Sequence, residues 1–381
     1  MRILVVHNRY QDPGGEDIVF EQEVKALSTS NTIETLLFQN KKGWQGAVQY
    51  LLYPYNVLAG TRLQKKLDEF QPDLVHIHNI HYASGPILFR ILQKRNIPSV
   101  FTLHNYRLLC PSALLFFKGQ RYFNSIGKAF PWDAVSKGVL DGSPVKTFLT
   151  AFTYRLHAYL GTWKNITAYL PLTNFAGELL LKGRLGIKKE QIVVKPNFIE
   201  ALPNCESTAG NYYIYIGRLS TEKGVEPLIK NFSKDGAPTL YLVGDGPLRS
   251  LIPERENIKF LGFKNRDQFT PLLAGAKALV IPSICLEGFP LALQEGMALK
   301  KPILISKEVA ASEIILDGVN GFLMDPWDYS QTLKNLEERD DLSAIGLAGH
   351  ELYLKNYTKE KVVGRLLEVY KSILEETPSR G

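Results

Sequence analysis

The chain is poor in the residues on which small secreted scaffolds depend. Its 381 residues include only three cysteines, Cys110, Cys205 and Cys285. These lie far apart with no CxxC or Cys/His spacing, so neither a disulfide framework nor a structural zinc site is supported. Long apolar runs are lacking too. The run Ile3 to Val6 after Met1-Arg2 is far too short for a signal-peptide core. No later run approaches the roughly 18 apolar residues of a membrane-spanning helix. A cytoplasmic protein is therefore expected, one that neither crosses a membrane nor leaves by the standard export route. No low-complexity tract and no repeat at a period of about 20 to 50 residues is found. No GxGxxG follows a strand, and the glycines of Val243-Gly244-Asp245-Gly246-Pro247 do not complete that fingerprint, which disfavours a nicotinamide dehydrogenase. Asn-x-Ser/Thr triplets at Asn165, Asn231 and Asn356 mean little without a secretory signal.

What is present is a large globular composition, 45% hydrophobic and 22% charged. At about 150 residues per domain, the length suggests two or three domains. The net charge is +7, compatible with nucleic acid, anionic lipid or a phosphorylated small molecule. Nearly all of the excess lies between Phe101 and Leu170, where eight Lys/Arg face two acids among fourteen aromatics. Basic and aromatic residues mixed in this way suit a headgroup surface or a bulky anionic acceptor. A solvated basic face over an aromatic core fits equally well.

Short β-branched runs alternate with helical patterns, the signature of βαβ units, so the predicted class is doubly wound α/β. In the first half, strands are expected at Ile3 to Val6, Glu34 to Phe38, Leu74 to Ile77, Ser99 to Leu103, Ala168 to Leu170 and Ile192 to Val194. A polar stretch after Pro203-Asn204 has linker composition. A second series follows at Tyr212 to Ile216, Thr239 to Val243, Ile258 to Phe260, Ala278 to Ile281 and Pro302 to Ile305. Two Rossmann-like domains are predicted, 1–203 and 204–358. The segment from Lys359 carries Val362, Leu366, Tyr370 and Ile373 at helical spacing and is expected to return to the first domain.

Several clusters carry chemistry. Gly14 and Gly15 sit between a strand and a helical stretch, where backbone N–H groups can approach an anion. Arg218 and Lys223 lie just beyond a strand's carboxyl end, where open α/β sheets bind ligands; a forked guanidinium and a mobile ammonium suit a diphosphate. Glu287 and Glu295, eight residues apart, bracket a loop entering a helix and are placed to hold two ends of one hydroxyl-rich ligand. His76 and His78 fall on one face of a strand, a geometry that could suit a metal. No carboxylate or cysteine joins them at ligand spacing, and hydrogen-bonded histidines satisfy the same sequence. His104, at the end of another strand, fits a polar group beside a reacting centre.

Together these residues resemble the retaining, nucleotide-sugar-dependent family-four glycosyltransferases of the GT-B fold. The resemblance spans nearly the whole chain: PGGE, TLHNYRLLCP, KPNF, GRLSTEKGV, LVGDGPL, FLGF and the Glu-x7-Glu element of EGFPLALQE. It implies two Rossmann-like domains facing across a cleft, with a UDP- or GDP-sugar held mainly on the second. Carried over by position, Glu295 would hold ribose hydroxyls and Glu287 sugar hydroxyls, with backbone donors from Gly288, Phe289 and Leu291. Arg218 and Lys223 would neutralise the leaving diphosphate, and Gly14 and Gly15 would close over donor or acceptor. Gly262 and Phe263 would pack on the nucleobase, and His104 would stand beside the transferred sugar. No metal and no other cofactor is called for. The acceptor would be a saccharide, lipid-linked at the inner face of an anionic membrane, in surface polysaccharide assembly; no nucleic-acid partner is implied. Family members commonly carry Gly-Gly before the glutamate matching Glu313, where this chain has Val309-Ala310-Ala311-Ser312. A loop needing positive φ is costly there. A sugar-nucleotide epimerase would share the phosphate site, and a non-catalytic sugar or nucleotide binder is a further alternative.

Overall fold

The computed structural model describes residues 1–11, 14–203 and 210–376. The chain divides into two compact units. The first comprises Met1–Phe117, Tyr122–Pro196 and the chain from Val362 onward; the second comprises Lys118–Arg121 and Asn197–Lys361. The expected linker beginning at Asn204 lies largely outside the described residues, and the observed division falls earlier, at Pro196/Asn197.

In the first unit β1 (Arg2–Arg9), β2 (Thr32–Gln39), β3 (Leu74–Ile77), β4 (Ser99–Leu103) and β7 (Ala168–Pro171) form a sheet in the order β2-β1-β3-β4-β7. Every ladder is parallel. Helices cover both faces of such a sheet, which is why β1 reads as a nearly continuous apolar run, with Ile3 to Asn8 all buried. Two-residue strands β5 (Phe116–Phe117) and β6 (Gln120–Arg121) follow β4 in the chain. The strand expected at Ile192 to Val194 does not form. Ile192 makes one isolated bridge to Tyr169, and the amides of Val193 and Lys195 reach β7 at 2.9 Å. Pro196 follows at once and has no N–H to extend a ladder.

In the second unit β8 (Tyr213–Ile216), β9 (Leu240–Val243), β10 (Ile258–Gly262), β11 (Ala278–Ile281), β12 (Ile303–Ser306) and β13 (Phe322–Met324) run in the order β10-β9-β8-β11-β12-β13, again all parallel. The order reverses between β8 and β11. Ligands of open α/β sheets bind outside the carboxyl ends of the strands at such a switch point.

The helix Lys359–Glu376 places Leu366, Tyr370 and Ile373 in one core with Ile3, Val5, Phe20, Leu74, Val100 and Leu170 of the first unit. Its apolar stripe has the 3.6-residue period of a helix that needs one surface to cover. No helix among the described residues is long and apolar enough to cross a membrane.

Candidate nucleotide-sugar site

In the second unit, the loops after β8, β9 and β11 are stitched together by their backbones. Gly224 adopts φ +69, and a Cβ there would lie 2.0 Å from the Pro282 carbonyl oxygen. Only glycine allows both the left-handed turn and that approach. The amide of Ile284 then donates to the Glu222 carbonyl at 3.0 Å. On the other side Leu219 N–H donates to the Asp245 carbonyl at 2.9 Å, and Gly244 approaches Gly217 so closely that a Cβ would sit 1.9 Å from its oxygen. The GRLSTEKG, LVGDGPL and PSICLEG segments thus form one rigid platform at the switch point.

That platform brings Lys223 to Glu287. The Lys223 ammonium bonds Glu287 Oε1, while Ser283 Oγ donates to Glu287 Oε2 at 2.8 Å. Burial works against the Lys223 charge, but Glu287 outweighs it and holds its pKa above the ordinary lysine value. Burial, aided by Glu287, pushes the Cys285 thiol up to about 12, so it is no nucleophile at neutral pH. Arg218 is exposed on the same segment, and its guanidinium has no partner among the described residues.

The loop from Glu287 into the helix Leu291–Ala298 is pinned from both ends. Ala310 N–H donates to the Glu287 carbonyl at 2.8 Å, and Asn197 Nδ2 donates to that of Phe289 at 2.9 Å. Phe289 is buried, its ring 5.1 Å from that of Tyr357. The amides of Gly288, Phe289 and Leu291 have no acceptor among the described residues. Free N–H groups at a helix start make an anion-binding surface. Glu295, one turn further along, is buried and lies 3.4 Å from Arg266. Burial raises its pKa, and Arg266 opposes the rise. Gly262 closes β10 with φ +68, and Phe263 beyond it is 75% exposed, an open aromatic face.

The strain expected before Glu313 is not present. Val309 has φ −75, and Ala310–Ile314 form a 3-10 turn with no positive φ, so this backbone does not require glycine.

Gly14, Gly15 and His104 belong to the first unit. Gly14 caps the helix Gly15–Leu27 with φ −139, an extended conformation open to any residue, and its amide donates to Asp17 Oδ2 at 2.9 Å. Neither glycine has an atom within 4 Å of its would-be Cβ. His76 and His78 do share a face, with ring centroids 4.5 Å apart. The expectation that no carboxylate joins them is wrong: Glu23, from the helix Gly15–Leu27, lies 3.1 Å from both. The donor atoms of Glu23, His76 and His78 fall within 4.8 Å of one another. The trio is already satisfied: Lys195 supplies the positive charge against Glu23, and His76 Nε2 meets Thr102 Oγ1 at 2.7 Å. Glu23 and Arg266 are not marked by the sequence, and Lys195 is marked only as part of KPNF, with no partner indicated. Each meets its partner across a gap in the chain that no local spacing encodes.

The chain matches the family model of glycosyl transferases group 1 over residues 204–342 and that of glycosyltransferase family 4 over 43–201. An uncharacterized glycosyltransferase of Methanocaldococcus jannaschii is 31% identical over 173 residues, 43% of this chain and 48% of that protein. A GDP-mannose-dependent alpha-mannosyltransferase of Corynebacterium glutamicum is 29% identical over 42% of this chain and 39% of its own length. A lipopolysaccharide 1,2-N-acetylglucosaminetransferase of Salmonella typhimurium is 25% identical over 42% and 48%. The chain thus spans about half the length of the curated relatives it matches or less. Anabaena HepE, solved in complex with UDP, superimposes with a TM-score of 0.69 at 16% identity over 98% of this chain and 100% of that one. That likeness shows the fold, two Rossmann-like domains of the GT-B type. The two halves of the chain are thus matched, in order, by two glycosyltransferase family models.

Proposed function

We propose that the protein transfers a hexose from a nucleoside-diphosphate sugar to a saccharide acceptor, with retention of anomeric configuration. The observation that carries this is the convergence, at the second unit's switch point, of Lys223, Glu287 and the free amides of Gly288, Phe289 and Leu291. An ammonium has three donors and Glu287 uses one, so a diphosphate oxygen can join without breaking that pair. Arg218 adds a forked contact. Glu287, braced by Ser283, takes sugar hydroxyls, and Glu295 the ribose. Gly262 and Phe263 offer a floor to the base, and Gly14 and Gly15 are proposed as contacts to donor or acceptor.

The chemistry then follows the charge. The bond from the anomeric carbon to the β-phosphate oxygen breaks, and its electron pair leaves with the diphosphate. The acceptor oxygen bonds to the same face of that carbon and yields its proton to the departing phosphate. Arg218, Lys223 and the amides stabilise the growing negative charge, the strongest stabilisation available to a site with no covalent nucleophile. These cations supply that charge without a metal, and His104 touches a sugar hydroxyl.

The acceptor is proposed to be lipid-linked, in surface polysaccharide assembly. Relatives named for lipopolysaccharide and colanic acid synthesis support this. So do exposed apolar side chains on helices of the first unit: Trp44, Leu51, Leu58 and Val145 are more than half exposed, and Tyr159 is 89% exposed. Binding to anionic liposomes should therefore survive moderate salt better than a purely basic patch would. The reaction is tested by incubating the protein with UDP- and GDP-hexoses and a saccharide acceptor and reading the anomeric configuration by NMR. An inverted product, or none with any donor, rejects it.

A further inference from the structure

Beyond the second unit's platform, the first unit contains a line of polar groups of which the transfer chemistry uses only the last, His104. It runs from Lys195, just before Pro196, to Glu23 in the helix Gly15–Leu27, then to His78 beyond β3 and His104 beyond β4. Lys195 Nζ bonds Glu23 Oε2. Glu23 Oε1 lies 3.1 Å from His78 Nε2, and His78 Nδ1 lies 3.0 Å from His104 Nε2. Glu23, His78 and Lys195 are at most 3% exposed, whereas His104 is half-buried. The planes of His78 and His104 differ by 25° with centroids 5.2 Å apart, an arrangement compatible with an N–H···N bond at that separation. Among the described residues, His104 Nδ1 has no hydrogen-bond partner.

Donor and acceptor rules fix every proton on this line. An ionised carboxylate only accepts, so His78 Nε2 carries hydrogen. A neutral His78 then has a bare Nδ1, which can only accept, so His104 Nε2 carries hydrogen and its Nδ1 is bare. We infer that Lys195, Glu23 and His78 are positioning residues that lock His104 in the Nε2–H tautomer and thereby dedicate its Nδ1 to accepting a hydrogen bond from a substrate hydroxyl. A phosphate oxygen or a carbonyl finds no donor there. The charge states agree. Burial opposes the Glu23 carboxylate, but Lys195, His78 and His76 outweigh it and hold its pKa well below the usual range. Burial brings His78 down to about 3 and keeps His104 neutral. Phe20, edge-on to His78 at 5.5 Å, and His7 at 6.3 Å wall the line from solvent.

The locking of the tautomer stands without any activity, while the hydroxyl contact rests on the proposed place of His104 beside the sugar. The two are separated by two readouts. In the full chain labelled with 15N-histidine and without ligand, long-range 1H–15N correlation, assigned with His104→Gln, should show His104 Nε2 as the protonated nitrogen and Nδ1 as the bare one. The reverse tautomer, a mixture or an imidazolium at neutral pH overturns the inference. His78→Gln, whose amide can donate to Glu23 and whose oxygen can accept from His104, should preserve that signature, and His78→Leu should lose it. In kinetics, Glu23→Leu combined with Lys195→Met removes the acceptor that holds His78 Nε2–H without leaving an unpaired buried charge. It should lower kcat by roughly 100-fold with the donor KM nearly unchanged. If the variant stays folded by its melting transition and kcat does not fall, the line serves structure alone and its functional half is refuted. Should His104→Ala leave kcat intact while the tautomer is as stated, the sugar-side role fails and the locked tautomer survives.

Discussion

Acid should unfold this protein early, and the histidines set the window. Burial holds His78 at about 3 and His157 at about 4, against the ordinary 6.5. His7, His76, His81 and His104 are lowered for the same first reason, burial. Above pH 6.5 these rings are neutral in both states and no difference arises. Below it the unfolded chain takes up protons that the folded chain refuses, so stability is lost as the pH falls from 6.5 toward the folded values. Each ring still neutral in the folded state and fully titrated in the unfolded one costs about 1.4 kcal/mol per pH unit. His78 and His157 alone therefore remove about 2.5 kcal/mol between pH 6 and 5, a large part of a typical 5–15 kcal/mol stability. Urea unfolding followed by tryptophan fluorescence at half-unit pH steps measures this slope directly. A midpoint that stays constant from pH 7 to 5 would refute the claim that these rings are held neutral.

Three further changes probe the nucleotide site and the core. Lys223→Met should weaken nucleoside-diphosphate binding by roughly 10- to 100-fold in calorimetry, the cost of about 1.5–3 kcal/mol for a lost charged hydrogen bond, and shift the melting temperature little. Gly224→Ala must place its Cβ against the Pro282 oxygen and hold φ +69, so the β8 and β11 loops should part, and donor binding should fall with Lys223 still present. Leu366→Ala, in the core of the first unit, should cost about 2–5 kcal/mol in denaturant unfolding while leaving the nucleotide affinity of the folded protein unchanged.

Much of the scaffold is legible in the sequence because parallel strands buried on both faces must be apolar throughout. The bounds expected for β3, β4 and β11 coincide with those observed, and the final helix is announced by its periodic Val, Leu, Tyr and Ile. β13, only three residues long, has too short a pattern to stand out. The run Ile192 to Val194 looks like a strand because its residues favour one, but composition does not reveal that Pro196 closes the ladder. Motifs point to the loop residues, yet not to their mutual pairing: Lys223 and Glu287, each expected to contact a substrate, also serve each other. Glu23 is hidden because acidic residues on amphipathic helices are usually solvated, and only the tertiary fold brings this one beneath two histidines.

The most direct test is calorimetric titration of the full chain with UDP and GDP, repeated with Lys223→Met. Saturable binding of at least one nucleotide, weakened at least tenfold by the substitution, is the predicted result. No binding of either, or an affinity indifferent to Lys223, would contradict the assignment of the diphosphate to the second unit's switch point.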